Sequence, residues 1–182
     1  MTHASLTDPV IDLDRLAEIA DLDLFSEQAK ATLDQFARRA AERFDLPIGL
    51  VTIVLNDAQF LAGTHGVTGW IAEAEGTPVE WSFCVTSVRT RQVYVVPDAR
   101  IDEVQRDNPL VTIDGIGSYA GAPLITSRGH VLGNTCVIGA TARDFTPEEI
   151  GELQRLADEV VAEIETTRLS ARAAAGSPAR RS

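Results

Sequence analysis

Tyr119-Ala-Gly-Ala-Pro-Leu-Ile-Thr-Ser-Arg-Gly-His-Val-Leu-Gly-Asn-Thr-Cys-Val-Ile-Gly139 decides the fold. Two apolar runs flank a polar tip, Ser127 to His130, in which Gly129 supplies the positive φ that a tight hairpin demands. Neither run alternates cleanly between apolar and polar residues. Both strands are therefore expected to be covered on two faces, at the centre of an antiparallel sheet. His130, at the tip, is expected to be exposed and replaceable, whereas Val137 is expected to be core.

Upstream, Ile48 to Leu55 reads as a strand from its β-branched content, with Asn56-Asp57 as the turn into a partner, Gln59 to Thr64. Ser26 is placed to cap a helix whose buried stripe is Ala29, Leu33, Phe36, Ala37, Ala40 and Phe44, ended by Pro47. Before it, Leu13, Leu16, Ala17 and Ala20 suit the apolar face of a short helix between Val10 and Leu22, and residues 1–9 read as disordered. Between the hairpins, residues 63–78 are glycine-rich and read as a loop that holds Trp70 and Ile71. Ser82 caps a predicted helix from Phe83 to Arg91, and Val93 to Val96 is a short strand stopped by Pro97. A short helix is expected from Asp98, broken at Asn108-Pro109. Downstream, Thr146-Pro147-Glu148-Glu149 combines a cap, a proline at the first helical position and a capping box. The helix it opens carries Ile150, Leu153, Ala157, Val160 and Ile164, and should run to about Ala174.

The 182 residues, 45% hydrophobic, suffice for one substantial core. No apolar run approaches the roughly 20 residues of a membrane span, and the N-terminus lacks the regions of a signal peptide. Two cysteines far apart imply no disulfide framework, so a cytoplasmic setting is expected. A net charge of -11 argues against nucleic acid as a partner, because phosphate contacts need clustered cations. The lone lysine, Lys30, removes P-loop phosphate binding from consideration and, placed in a helix with no motif around it, argues against lysine Schiff-base chemistry. The tail carries Arg168, Arg172, Arg180 and Arg181 and reads as a helix end followed by a solvated, disordered segment.

Five segments occur in the order found in GAF domains of the bacterial signalling type: Trp81-Ser-Phe-Cys84, Val95-Val-Pro-Asp-Ala99, Asn108-Pro109-Leu110-Val111, Tyr119-Ala-Gly-Ala-Pro-Leu124 and Leu132-Gly-Asn-Thr-Cys-Val-Ile138. The resemblance covers residues 26–165, leaving 1–25 as an extension with a short helix and 166–182 as helix end and tail. It implies an α+β, PAS-like GAF fold. Terminal helices would pack on one face of a central antiparallel sheet, with short helices and loops over a small-molecule pocket on the other. The family includes cyclic-nucleotide binders, bilin photoreceptors, metal and haem sensors, a methionine sulfoxide reductase and members that only dimerise, so the fold does not fix the function.

Cys84, in the first turn of its helix, has two readings: a thiol made reactive by the helix dipole, or a small buried apolar side chain. Cys136, mid-strand, reads as core. The resemblance counts against several activities. The reductases of this fold typically carry three cysteines, a bilin-attachment cysteine is usually followed by His where Val85 stands here, and the Asn-Lys-Phe-Asp-Glu set of the cyclic-nucleotide type is absent. His3, His65 and His130 match no metal spacing. Gly115-Ile-Gly117-Ser-Tyr-Ala120 fits a dinucleotide pattern, but a strand comes next where that motif needs a helix. By resemblance, Trp70, Trp81, Phe83, Cys84, Tyr119 and Thr135 fall on elements that face the ligand cavity, although each also suits ordinary packing. The expected function is a stand-alone, non-catalytic sensor domain binding an unidentified small molecule or a signalling partner. The alternatives are a thiol-based redox sensor or reductase using Cys84, and a ligand-free dimerisation module. A homodimer through the terminal helices is expected from the wide stripe on the last helix.

Overall fold

The computed structural model describes residues 8–176. The sheet has six antiparallel strands in the order β3-β2-β1-β6-β5-β4: β1 Ile48–Val54, β2 Ala58–His65, β3 Gly76–Pro78, β4 Tyr94–Val96, β5 Ser118–Ile125 and β6 Val131–Gly139. The hairpin β5–β6 turns at Gly129, whose φ is +87°, and β6 lies between β1 and β5 with every residue buried. The fold is α+β, as the hairpin and its flanking elements imply.

One face carries the two long helices, α2 Glu27–Phe44 and α6 Pro147–Ala175. Ser26 Oγ accepts from the Ala29 N–H at 3.1 Å. Asp45, at φ +50°, closes α2 before Pro47 is reached. The Thr146 capping box forms with both of its bonds. Leu33, Ala40 and Phe44 of α2 and Leu153, Ala157, Val160 and Ile164 of α6 pack on Val51, Ile53, Ala122 and Val137 of the sheet. That stripe of α6 is spent within the chain. Among the described residues of α6, Leu169 is the one large apolar side chain left exposed. The α6 residues Arg168 and Arg172 both reach Asp21, whereas Arg180 and Arg181 lie outside the described residues.

The N-terminal segment corrects the sequence reading. Asp8 and Pro9 are ordered, with Asp8 capping a single 3₁₀ turn, Pro9–Ile11; residues 1–7, His3 among them, lie outside the described residues. In α1, Leu13–Asp21, only part of the expected apolar face turns inward: Leu16 packs against the core, whereas Ala17, Ala20 and Leu13, which is 79% exposed, face outward. The buried positions are Arg15, Glu18 and Ile19. The Arg15 guanidinium donates to the carbonyls of Pro9, Val10, Val54 and Val131 at 2.6–3.2 Å. Burial lowers the Arg15 pKa, and the nearby Asp12 and Asp8 oppose that shift. Glu18 Oε2 accepts from Thr126 Oγ1 at 3.0 Å and pairs with His130 Nδ1, while Glu18 Oε1 has no partner.

His130 is thus a tether between the hairpin tip and α1, not a free turn residue. His130→Ala is expected to cost about 1–3 kcal/mol, because it strips a buried carboxylate of one of its two partners. Val137→Ala, fully buried on β6, should cost about 2 kcal/mol. Urea unfolding of both variants checks the pair; a shift under about 0.5 kcal/mol for His130→Ala would return that side chain to solvent.

Candidate functional site

The opposite face of the sheet is covered by short elements: α3 Gly69–Ala74, a 3₁₀ turn Val79–Trp81, α4 Cys84–Thr90 and α5 Pro109–Thr112. Two of these depart from expectation. Residues 63–78 are not wholly loop, since they hold α3 and β3. The glycines that hid them, Gly66 and Gly69, take φ of +77° and +67° at the approach to α3. The segment after Asp98 forms only turns. Asn108-Pro109, read as a break, instead starts α5, with Asn108 Oδ1 accepting from the Leu110 N–H at 2.9 Å and Pro109 at the first position.

Between these elements and the sheet lies a cavity of about 410 Å³. Its walls are mainly apolar: Leu50, Leu61, Phe83, Leu110, Ile116 and Ile138, with Val67, Trp70 and Ile71 from the α3 side. Gln59 and Thr77 form a polar corner. Asp114 is the single charged residue lining it, and its Oδ1 accepts from Trp70 Nε1 at 2.8 Å, joining α3 to the segment after α5.

Four of the six sequence candidates line this space: Trp70, Phe83, Cys84 and Tyr119. Trp81 does not line it, but stands edge-on to Trp70 with ring centroids 5.9 Å apart. Thr135 faces the other way. It pairs with Val51 and Ala122, which belong to the helix-side core, so strand alternation directs it away from the cavity. Asp98 accepts from the Arg100 backbone and pairs with the Arg100 side chain, apart from the cavity.

The floor of the cavity is a buried polar network. Ser82 Oγ accepts from the Cys84 N–H at 3.1 Å and ties down the start of α4, although Phe83, not Ser82, stands at the cap position. Asn134 Nδ2 donates to Tyr119 OH and Ser87 Oγ, each at 3.0 Å. The Tyr119 hydroxyl is then free to donate to Cys84 Sγ at 3.3 Å, and Thr52 Oγ1 lies 3.2 Å from the same sulfur. Gly121 makes this possible, since a Cβ there would stand 2.1 Å from Tyr119 OH and 2.7 Å from Asn134 Nδ2. Burial pushes the Cys84 thiol up, but hydrogen bonds from Cys136, Thr52, Tyr119 and Ser82 bring it below its ordinary value. Cys136 is held well above its own by its hydrogen bond to Cys84 and by burial. Burial, with the neighbouring thiols, raises Tyr119 well above the usual phenol.

Both thiols are enclosed, so slow chemistry is expected. In the native protein, iodoacetamide should alkylate both at least about tenfold more slowly than in urea, with Cys84 modified first. Peptide mass spectrometry over time checks the order; Cys136 reacting first would contradict the assignment of donor and acceptor.

A family model described as GAF domain matches residues 25–164. The chain belongs to the GAF domain family. A cyclic di-GMP phosphodiesterase of Pseudomonas aeruginosa is 33% identical over 156 residues, which is 85% of this chain and 26% of that protein. The chain therefore spans about a quarter of the length of that relative. Among solved structures, the GAF domain of PixJ from Thermosynechococcus elongatus, in its blue-light-absorbing form, superposes with a TM-score of 0.68 at 13% identity. That match covers 94% of this chain and 99% of that one. A type II free methionine-R-sulfoxide reductase from Thermoplasma acidophilum matches with a TM-score of 0.62 at 12% identity, covering 77% and 94%. Such identities speak to the GAF fold alone. Among the described residues of this GAF domain, no helix is long and apolar enough to cross a membrane, and no group of three or more His, Cys, Asp or Glu is placed to hold a metal ion.

The residues that sequence reasoning missed are Gln59, Thr77, Leu110 and Asp114 on the walls, and Thr52, Ser87 and Asn134 beneath. Asn134 carried a readable signal: an amide inside an otherwise apolar central strand needs partners when buried. The others depend on long-range placement: Leu110 and Asp114 on α5 and the segment after it, Gln59 and Thr77 on the pairing of β2 with β3, and Thr52 and Ser87 on β1 and α4 meeting β6.

Proposed function

We propose that this GAF domain is a regulatory sensor module that takes a small molecule into the cavity and performs no chemistry on it. The observation that carries the reading is the mainly apolar cavity of about 410 Å³ between the sheet and the short elements α3, α4 and α5, with the Trp70–Asp114 hydrogen bond at its rim. Catalysis through Cys84 lacks support because its hydrogen-bonding partners are hydroxyls and a second thiol, none of which is a general base at neutral pH. Occupancy would be felt across the sheet, since β6 carries Cys136 on the cavity side and Val137 on the side packed by α2 and α6. A signalling partner, or a second copy of the chain, would then read the outer faces of those helices. Their charges alternate in sign, with Arg39 bound to Glu159 and Arg43 to Glu152.

The test is a thermal-shift screen of small metabolites against the wild type and against Leu110→Trp, which fills the cavity from α5. Compounds that raise the melting temperature of the wild type but not of the filled variant are expected. A screen without hits, or hits that survive filling, would favour a ligand-free dimerisation module.

A further inference from the structure

The lining of the cavity defines the class of molecule it can hold. Among its lining residues there is no Lys, Arg or His, and the one charge, Asp114, is negative. An anion entering this space would exchange its hydration for apolar walls with no cation to compensate, in a chain whose net charge is -11. The polar corner is specific about what it offers. Gln59 is 5% exposed and Thr77 6% exposed. The Gln59 carbonyl oxygen accepts from Ser82 Oγ, so that acceptor is engaged. One Gln59 N–H makes a long bond of 3.4 Å to Thr77 Oγ1. The second N–H and the Thr77 hydroxyl hydrogen remain to be used, and both are donors. At the floor, Tyr119 and Cys84 satisfy each other and present mainly their apolar bodies.

We infer that the cavity selects an uncharged, flat, largely apolar molecule carrying one hydrogen-bond acceptor, a carbonyl or its equivalent, which is received by Gln59 and Thr77. Anions, cyclic dinucleotides with their two phosphates included, fall outside the class. This rests on the small-molecule reading above and narrows it. Trp70 and Phe83 supply aromatic faces for a flat ring system, and Leu61 and Leu110 close around it.

The test uses two near-isosteric probes that differ in charge, 2-acetonaphthone and 2-naphthoate, titrated calorimetrically into the full chain at neutral pH. The ketone should bind at least about tenfold more tightly than the carboxylate. Gln59→Met should weaken the ketone by about threefold or more, with urea unfolding confirming that the variant is folded. Equal or tighter binding of 2-naphthoate, abolished by Leu110→Trp, would overturn the charge selectivity while leaving the cavity as a binding site. Unchanged ketone affinity in a folded Gln59→Met would overturn the assigned acceptor contact. If neither probe binds, the inference falls; the metabolite screen then decides separately whether the sensor reading falls with it.

Discussion

Gly49→Ala is expected to remove a large share of the stability of the fold, about 4 kcal/mol or more against the roughly 5–15 kcal/mol typical of a domain. Gly49 lies on β1 directly beneath α2, where a Cβ would stand 1.9 Å from the carbonyl oxygen of Ala37 and 3.0 Å from the nitrogen of Ala41. These are backbone atoms of a helix, with no rotamer to relax. Gly63 on β2 makes the same close approach, its Cβ position lying 2.4 Å from the Leu33 carbonyl. The helix answers with small residues, Ala37, Ala40 and Ala41, all buried. A methyl group at Gly49 must lift α2, opening the core that Leu33 and Phe44 fill. Gly129→Ala is the contrast: nothing lies within 4 Å of its Cβ position, and the change meets only the strain of φ +87°, about 1 kcal/mol. Urea unfolding of the two variants should separate them widely. Similar midpoints would mean that α2 is not seated on β1 as described.

Arg15→Met should be the second most damaging change, costing about 3–5 kcal/mol. Arg15 is 2% exposed, and its fork holds carbonyls of the N-terminal turn together with those of Val54 and Val131 on the two central strands. Methionine keeps an unbranched apolar stem and loses every donor. Arg15→Lys should recover less than half of the loss, since one ammonium cannot reproduce a planar fork aimed at several acceptors. Chemical denaturation of the three proteins checks the order. Full rescue by lysine would show that charge, not the fork, is what the site needs.

The parts of the fold that were legible are those whose signal is local. The hairpin β5–β6 announced itself by two apolar runs around Gly129, and α6 by its capping box, because turn and cap chemistry act within a few residues. The face of α1 was misread for the opposite reason. Apolar periodicity chose Leu13 and Leu16, whereas Arg15 and Glu18 are buried by acceptors and donors on strands far along the chain. Asn108-Pro109 illustrates a signal with two meanings, since the same pair can stop one helix or start another. In the candidate site, Phe83, Cys84 and Tyr119 could be placed because family-like motifs carry them. Thr135 could not, since its facing is set by register against Val51, and neither could the Gln59–Thr77 corner, which exists only once β3 pairs with β2. The proximity of Cys84 to Cys136 likewise depends on α4 crossing β6.

Whether the cavity is a binding space is tested most directly with N-phenyl-1-naphthylamine. This probe is uncharged, and its emission rises in apolar surroundings. Titrated into the wild type, it should show saturable enhancement with a single site per chain. The enhancement should be lost in Leu110→Trp and in Ile71→Trp, two substitutions that fill the space from α5 and from α3, with both variants still unfolding cooperatively in urea. No enhancement in the wild type, or enhancement undiminished in both filled variants, would contradict a ligand-binding cavity.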